Sequence, residues 1–137
     1  MRGQSKDSKD NESVKTEMKK YNENLLRRTL TFSENLIDLL KKLPKNLINL
    51  EISKQVFRSG ASVGANYREA CEAESSRDFV HKIKVVKKEA RETKYWLKLL
   101  LKNNPELSED IIKLGKECAE LIKIFSSIVS KFKPKAD

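Results

Sequence analysis

Apolar residues return every three or four positions along four long runs of this chain, and proline or clustered polar residues separate the runs. That step matches the turn of an α-helix and not the two-residue alternation of a strand. From about Asn22 to Leu43, the residues Leu26, Leu30, Leu36, Leu40 and Leu43 share a face, and Pro44 stops the helix because it has no N–H to contribute. A second run, from about Leu47 to Glu74, carries Ile48, Ile52, Val56, Ser59, Val63, Asn66 and Ala70 along one stripe. Ser75 or Ser76 is the expected cap of a third helix, with Asp78 well placed in its first turn. Phe79, Ile83, Val86, Ala90, Leu97 and Leu101 form its apolar face until Asn103-Asn104-Pro105 breaks it. Ser108 is the expected cap of the last helix, whose stripe is Ile111, Leu114, Cys118, Leu121, Phe125, Ile128 and Phe132. Amphipathic helices joined by short connections pack as antiparallel neighbours. The expected fold is therefore all-α, an up-down-up-down four-helix bundle over residues 22–133.

At 137 residues the chain suits one domain with a single core. Its first 20 residues hold only Met1, Val14 and Met18 as sizeable apolar side chains. Residues 1–21 are accordingly expected to be a polar, disordered tail, with 134–137 a short C-terminal one. No charged segment leads into a continuous apolar one, and no run is long enough to span a bilayer, so the expectation is a cytoplasmic protein without membrane contact. Cys71 and Cys118 stand apart, without CxxC spacing or a histidine nearby. They read as reduced, packed thiols, with no metal and no cofactor expected.

The stretch FRSGASVGANYREA, Phe57 to Ala70, is unusual for a helix interior. Gly60 and Gly64 each cost about 1 kcal/mol relative to alanine there. Four residues apart, they open a shallow groove on one flank that lets another helix come close. On the other flank Gln55, Arg58, Ser62, Asn66 and Glu69 make a polar seam. Such a seam can be catalytic, but it lacks a histidine or a second carboxylate to act as acid and base. The residue types suit a hydrogen-bonded network that sets register between helices, and the helix is expected to have close neighbours on several sides.

This motif, followed by SSRDF (75–79) and KEARETKYWLKLL (88–100), resembles the four-helix-bundle proteins encoded by intervening sequences in bacterial 23S ribosomal RNA genes. The residues that carry the resemblance are Arg58, Ser59, Ser62, Val63, Ala65, Asn66, Glu69, Ala70, Asp78, Phe79 and Lys88 to Leu97, within a match from roughly Leu25 to Lys123. Tyr67 and Arg68 depart from the family's small aliphatic and acidic pair, and Cys71-Glu72 stand where it often has a glycine. The resemblance implies a homopentamer around a central channel. It also implies a likeness in fold to the accessory variability determinant proteins of diversity-generating retroelements, which bind nucleic acid and a reverse transcriptase. On that basis Arg58, Ser59, Gly60, Ser62, Gly64, Asn66 and Glu69 are a structural seam that can face a neighbouring subunit.

The net charge of +9 is unevenly spread. From Arg77 to Lys102 nine Lys or Arg stand against three acids. In helical projection Arg77, His81, Lys84, Lys88, Arg91, Lys94, Lys98 and Lys102 fall within about 140 degrees, opposite the apolar face, and Tyr95 lies among them. A basic ridge about 37 Å long can neutralise the phosphates of RNA or DNA, with Tyr95 available to stack on an unpaired base. A solvated lysine face that serves only solubility is the plainer alternative. His81, the sole histidine, sits on this face and is read as lacking an acidic partner one turn away. Only three residues separate it from Arg77, too few for the Arg–His pattern of four-helix ribonucleases. No Gly-rich phosphate loop is present. The expected function is a non-enzymatic oligomer binding nucleic acid with weak sequence specificity. The alternative is a scaffold that docks an acidic protein such as a reverse transcriptase.

Overall fold

The computed structural model describes the backbone of residues 6–132, and the side chains from Asn22 onward. Four α-helices make up the fold: α1 (Lys6–Lys42), α2 (Leu47–Cys71), α3 (Ser76–Asn103) and α4 (Ser108–Lys131). A single 3-10 turn, Pro105–Leu107, lies between α3 and α4. No strand occurs among the described residues. Each helix packs on its neighbours in sequence, α2 most closely on α3, and α4 closes back onto α1. This is the arrangement of an antiparallel four-helix bundle.

α1 begins at Lys6, well before the expected start near Asn22. Nothing from Lys6 to Lys42 breaks a helix: the span holds no proline or glycine and is rich in Lys, Glu and Leu. Residues 1–5 of the expected tail, and 133–137 at the other end, lie outside the described residues.

The helix ends follow local chemistry. The Asn46 side chain accepts from the Asn49 N–H at 2.8 Å and opens α2. Ser75 accepts from the Asp78 N–H at 3.1 Å and opens α3, the role expected of it. Ser108 does not cap α4: it is already helical, because the 3-10 turn winds directly into that helix.

The expected stripe of α4 is buried throughout. The other three stripes depart from expectation. In α1 the core face is Leu25, Thr29, Phe32, Leu36, Leu39 and Leu43, leaving Leu30 55% exposed. In α2, Ile48 points outward and Asn49 inward, while Tyr67 and not Asn66 fills the core. In α3, Leu100 is buried where Leu101 was expected and is only half-buried. The Tyr67 hydroxyl donates to Asn22 Oδ1 at 2.8 Å, and burial raises its pKa. Asn49 is tolerated because it exchanges hydrogen bonds with Asn104, 2.8 Å in each direction. Every buried side-chain polar atom among the described residues has a partner.

Both cysteines are free thiols. Cys118 is fully buried and lies 3.2 Å from the Ala90 carbonyl. Burial pushes its pKa up to about 12 and also raises that of Cys71, so neither is activated as a nucleophile.

Candidate nucleic-acid interface

α3 has three flanks, and each meets a different environment. Its inner face packs in the core through Phe79, Ile83, Val86, Ala90 and Leu97. Its α2-facing flank carries two of its three acids. Arg58 of α2 reaches across to Glu89 at 3.3 Å and makes a closer ion pair with Glu92. Trp96 Nε1 donates to Glu92 at 3.1 Å. That bond, and then Arg58, holds the Glu92 carboxyl below its ordinary range, while Glu92 in turn raises the pKa of Arg58. The third acid, Asp78, binds Lys82 at 3.0 and 3.1 Å. Asp78 does lie one turn before His81, correcting the view that the histidine has no acid nearby, but its carboxylate is engaged by that lysine.

The third flank is the ridge. Arg77, His81, Lys84, Lys88, Arg91, Lys98 and Lys102 are exposed along it, and Tyr95 is 55% exposed, edge-on to Trp96 with ring centroids 5.1 Å apart. Lys94 is half-buried and turns toward α4. None of the seven lysines and arginines of the ridge forms an ion pair among the described residues. The acids of α3 are thus chiefly engaged by Arg58 and Lys82; Lys88 feels the Glu92 charge from farther off, and no outward lysine or arginine is ion-paired among the described residues. Their field can hold a line of phosphates.

The small residues of α2 admit a close helix, as their spacing led one to expect, and that helix belongs to the same chain. Gly60 and Gly64 do not open onto a neighbouring subunit; α1 of the same chain occupies their groove. A Cβ on Gly60 would stand 2.4 Å from Leu36 Cδ2, and one on Gly64 would stand 3.3 Å from Thr29 Oγ1. Ser59 faces the other way, its Oγ 2.8 Å from the Thr93 hydroxyl of α3. Ser62 donates to the Arg58 carbonyl at 2.6 Å within its own helix. No side-chain hydrogen bond or ion pair of Asn66 or Glu69 occurs among the described residues, so the seam is not one network. Arg58 and Ser59 tie α2 to α3, while Gly60 and Gly64 admit α1.

One residue near the ridge was missed. Lys116 of α4 stands beside Lys94 and Lys98 across a groove of about 270 Å³ between α3 and α4. Its place on the α3-facing flank of α4, one turn before Glu120 in projection, was available from helical periodicity but was obscured by the balanced charge of that segment.

The other concavities are poorer candidates. The one between α1 and α4, about 440 Å³, is crossed by the Lys42–Asp110 ion pair at 3.1 Å, and its acids and lysines offset one another. Beside it Arg28 and Glu117 make a two-pronged pair at 3.1 and 2.6 Å that fastens α1 to α4. No group of acids, cysteines and histidine suited to a metal occurs among the described residues, and none of their helices is long and apolar enough to cross a membrane.

Comparison with known proteins agrees with this architecture. No curated protein matches the chain. A crystal structure of a protein with unknown function from the S23 ribosomal protein family of Bacteroides thetaiotaomicron VPI-5482 is similar, with 36% identity and a TM-score of 0.68. The similarity covers 76% of this chain and 96% of that one. The family model described as 23S rRNA-intervening sequence protein matches residues 22–127, which take in the α2 motif, the ridge and most of α4. On both grounds the chain belongs to the 23S rRNA-intervening sequence protein family.

Proposed function

We propose that the protein is a non-enzymatic, cytoplasmic homo-oligomer, a pentamer, that binds RNA or DNA through the outer flank of α3 with weak sequence specificity. The observation that carries this reading is the ridge itself: seven cations on one helix flank, none ion-paired among the described residues, while all three acids of the same helix are engaged with Arg58 or Lys82. A face selected only for solubility gains nothing from keeping its acids out of reach. The family's description, which names 23S rRNA intervening sequences, supports a nucleic-acid context.

Binding through phosphates is strongly salt-dependent, each neutralised phosphate contributing roughly 0.7–0.9 to the log–log slope. Replacing Lys84, Arg91 and Lys98 together by alanine should flatten that slope by about 2 to 3. Unchanged affinity and slope in the triple variant would remove the ridge from consideration.

Self-association has its own support. Leu30, Ile37, Leu50 and Phe57 expose 55%, 38%, 54% and 43% of their surface on α1 and α2, apolar area that a lone bundle leaves in water. Light scattering should give about five times the 15.8 kDa of one chain. A mass near 15.8 kDa at micromolar concentration rejects the oligomer. A scaffold role, which the family resemblance implies through the accessory variability determinant proteins, would make an acidic reverse transcriptase surface the competing ligand for the same ridge. Stoichiometric co-purification that survives nuclease treatment would favour it.

A further inference from the structure

Gly115 occupies the middle of α4, where glycine is the least favourable residue after proline. The bundle does not account for it. A Cβ built there meets nothing within 4 Å, in contrast to Gly60 and Gly64, which admit α1. The missing side chain instead keeps open the groove between α3 and α4. Its floor is apolar, made by Leu97, Ile112 and Gly115, and Ile112 remains 44% exposed. Its walls are Lys94, Lys98 and Lys116, none of which is ion-paired among the described residues. Lys94 and Lys98 also belong to the ridge, so the groove is a lateral recess of that surface.

A ligand complementary to this recess has anionic groups at its edge and an apolar surface between them. Duplex nucleic acid offers the phosphates but hides the faces of its bases in the stack. A single strand presents both, since its unpaired bases have free π-faces next to the backbone charges. The recess supplies no side-chain amide, hydroxyl or carboxylate to read a base edge, so any base suits it. We infer that the groove over Gly115 takes an unpaired base of single-stranded nucleic acid whose flanking phosphates lie on Lys94, Lys98 and Lys116. This rests on the ridge as a nucleic-acid surface and adds the class of strand that it selects.

The test compares a fluorescent RNA of about 20 nucleotides, longer than one such site, with the duplex of the same sequence, by anisotropy at fixed salt. The native protein should bind the single strand more tightly than the duplex. Gly115→Leu fills the recess and keeps every cation. It should weaken binding of the strand by roughly tenfold, the size of one lost base contact, and leave duplex binding unchanged. Equal affinity of Gly115→Leu and native protein for the strand, or a native preference for duplex, overturns the inference. If the Lys84, Arg91 and Lys98 triple variant still loses affinity in that case, the ridge stands and only the groove falls. If the triple variant binds both forms natively, the ridge itself has failed. Photo-crosslinking of a 4-thiouridine strand to the native protein needs no variant to fold. Adducts within residues 94–101 and 111–119 support the inference, and adducts confined elsewhere overturn it. An acidic amphipathic peptide that displaces the strand at lower concentration than unlabelled strand assigns the groove to a protein and also overturns it.

Discussion

Alanine at Gly60 and alanine at Gly115 make the same chemical change in two helix interiors, and they should move stability in opposite directions. Both gain about 1 kcal/mol of helix propensity. At Gly115 nothing opposes the gain, because the new methyl meets nothing within 4 Å. At Gly60 the methyl would sit 2.4 Å from Cδ2 of Leu36 and 3.6 Å from Cγ2 of Thr93. Leu36 and Thr93 are both buried, so either the leucine leaves its rotamer or α1 retreats. Overpacking of this kind costs about 1–3 kcal/mol, leaving a net loss of about 1 kcal/mol. The two variants should then differ by about 2 kcal/mol, or roughly 8 °C in Tm for a domain of this size. Gly64→Ala belongs between them, since its methyl would stand 3.3 Å from Thr29 Oγ1, tight enough that the threonine must give slightly, while its 3.5 Å to the Thr29 carbonyl carbon is ordinary contact. Thermal unfolding followed by circular dichroism, at one protein concentration because assembly would shift Tm, reads the order directly. A Gly60→Ala protein melting at or above the native one, or a Gly115→Ala protein melting below it, would refute the account of what each glycine is for.

Asn49→Ala leaves the buried Asn104 with an unpaired Oδ1 and one unpaired N–H, its other N–H keeping the Leu100 carbonyl at 2.9 Å. Two orphaned groups should cost about 2–4 kcal/mol in urea denaturation. Glu92 has its pKa lowered from 4.5, so it stabilises the fold above that value and the contribution is lost as pH falls through the lower folded value. Glu92→Gln should therefore show a shallower loss of stability with acid below about pH 4.5 than the native protein; identical acid limbs would contradict the Trp96 and Arg58 contacts. Like-charged neighbours Lys84–Lys88, Lys88–Arg91, Lys94–Lys98 and Lys98–Lys102 repel by about 0.2–0.5 kcal/mol each at low salt. Raising salt from about 0.01 to 0.15 M, which shortens the Debye length from about 30 to 8 Å, should raise the Tm of the free protein, whereas a fall would mean that the ion pairs dominate.

Helical periodicity made the number and order of the helices legible, because proline and capping residues punctuate the chain at Pro44, Ser75 and Pro105. It was less informative about which apolar residue faces inward. Leu30 and Leu36 both fit a broad stripe, and only contact with the Gly60 surface selects Leu36. A side chain's hydrophobicity also misled at Asn49, whose burial depends on a partner 55 residues away. The start of α1 lies earlier than its apolar stripe for a related reason: a segment poor in apolar residues can still be helical, and the span from Lys6 to Lys42 contains no helix breaker. At the candidate site, the direction of the ridge was readable because charge on one helix projects simply. The groove beside it was not, since it depends on how α3 and α4 set Lys94 and Lys98 opposite Lys116. Gly115 was visible as an isolated mid-helix glycine, but only the packing separates a glycine that admits a neighbour from one that faces open space.

The division of charge on α3 links folding to binding. Glu92 lies one turn from Lys88, and released from Arg58 it could form an ordinary surface pair with that lysine, contributing a few tenths of a kcal/mol. Glu89 and Glu92 face α2 instead, where Arg58 holds them; Lys88 still feels the Glu92 charge, but the rest of the row is a run of like charges without an ion pair among the described residues. That row opposes folding at low salt, and an anionic ligand lying along it removes the repulsion only in the folded state, where the row exists. Ligand that binds the native bundle and not the unfolded chain must raise its stability in proportion to the logarithm of ligand concentration. The Arg58 clamp is thus more than a fastener between α2 and α3. By engaging Glu92, the carboxylate one turn from Lys88, it limits how far that acid neutralises the outer side of α3.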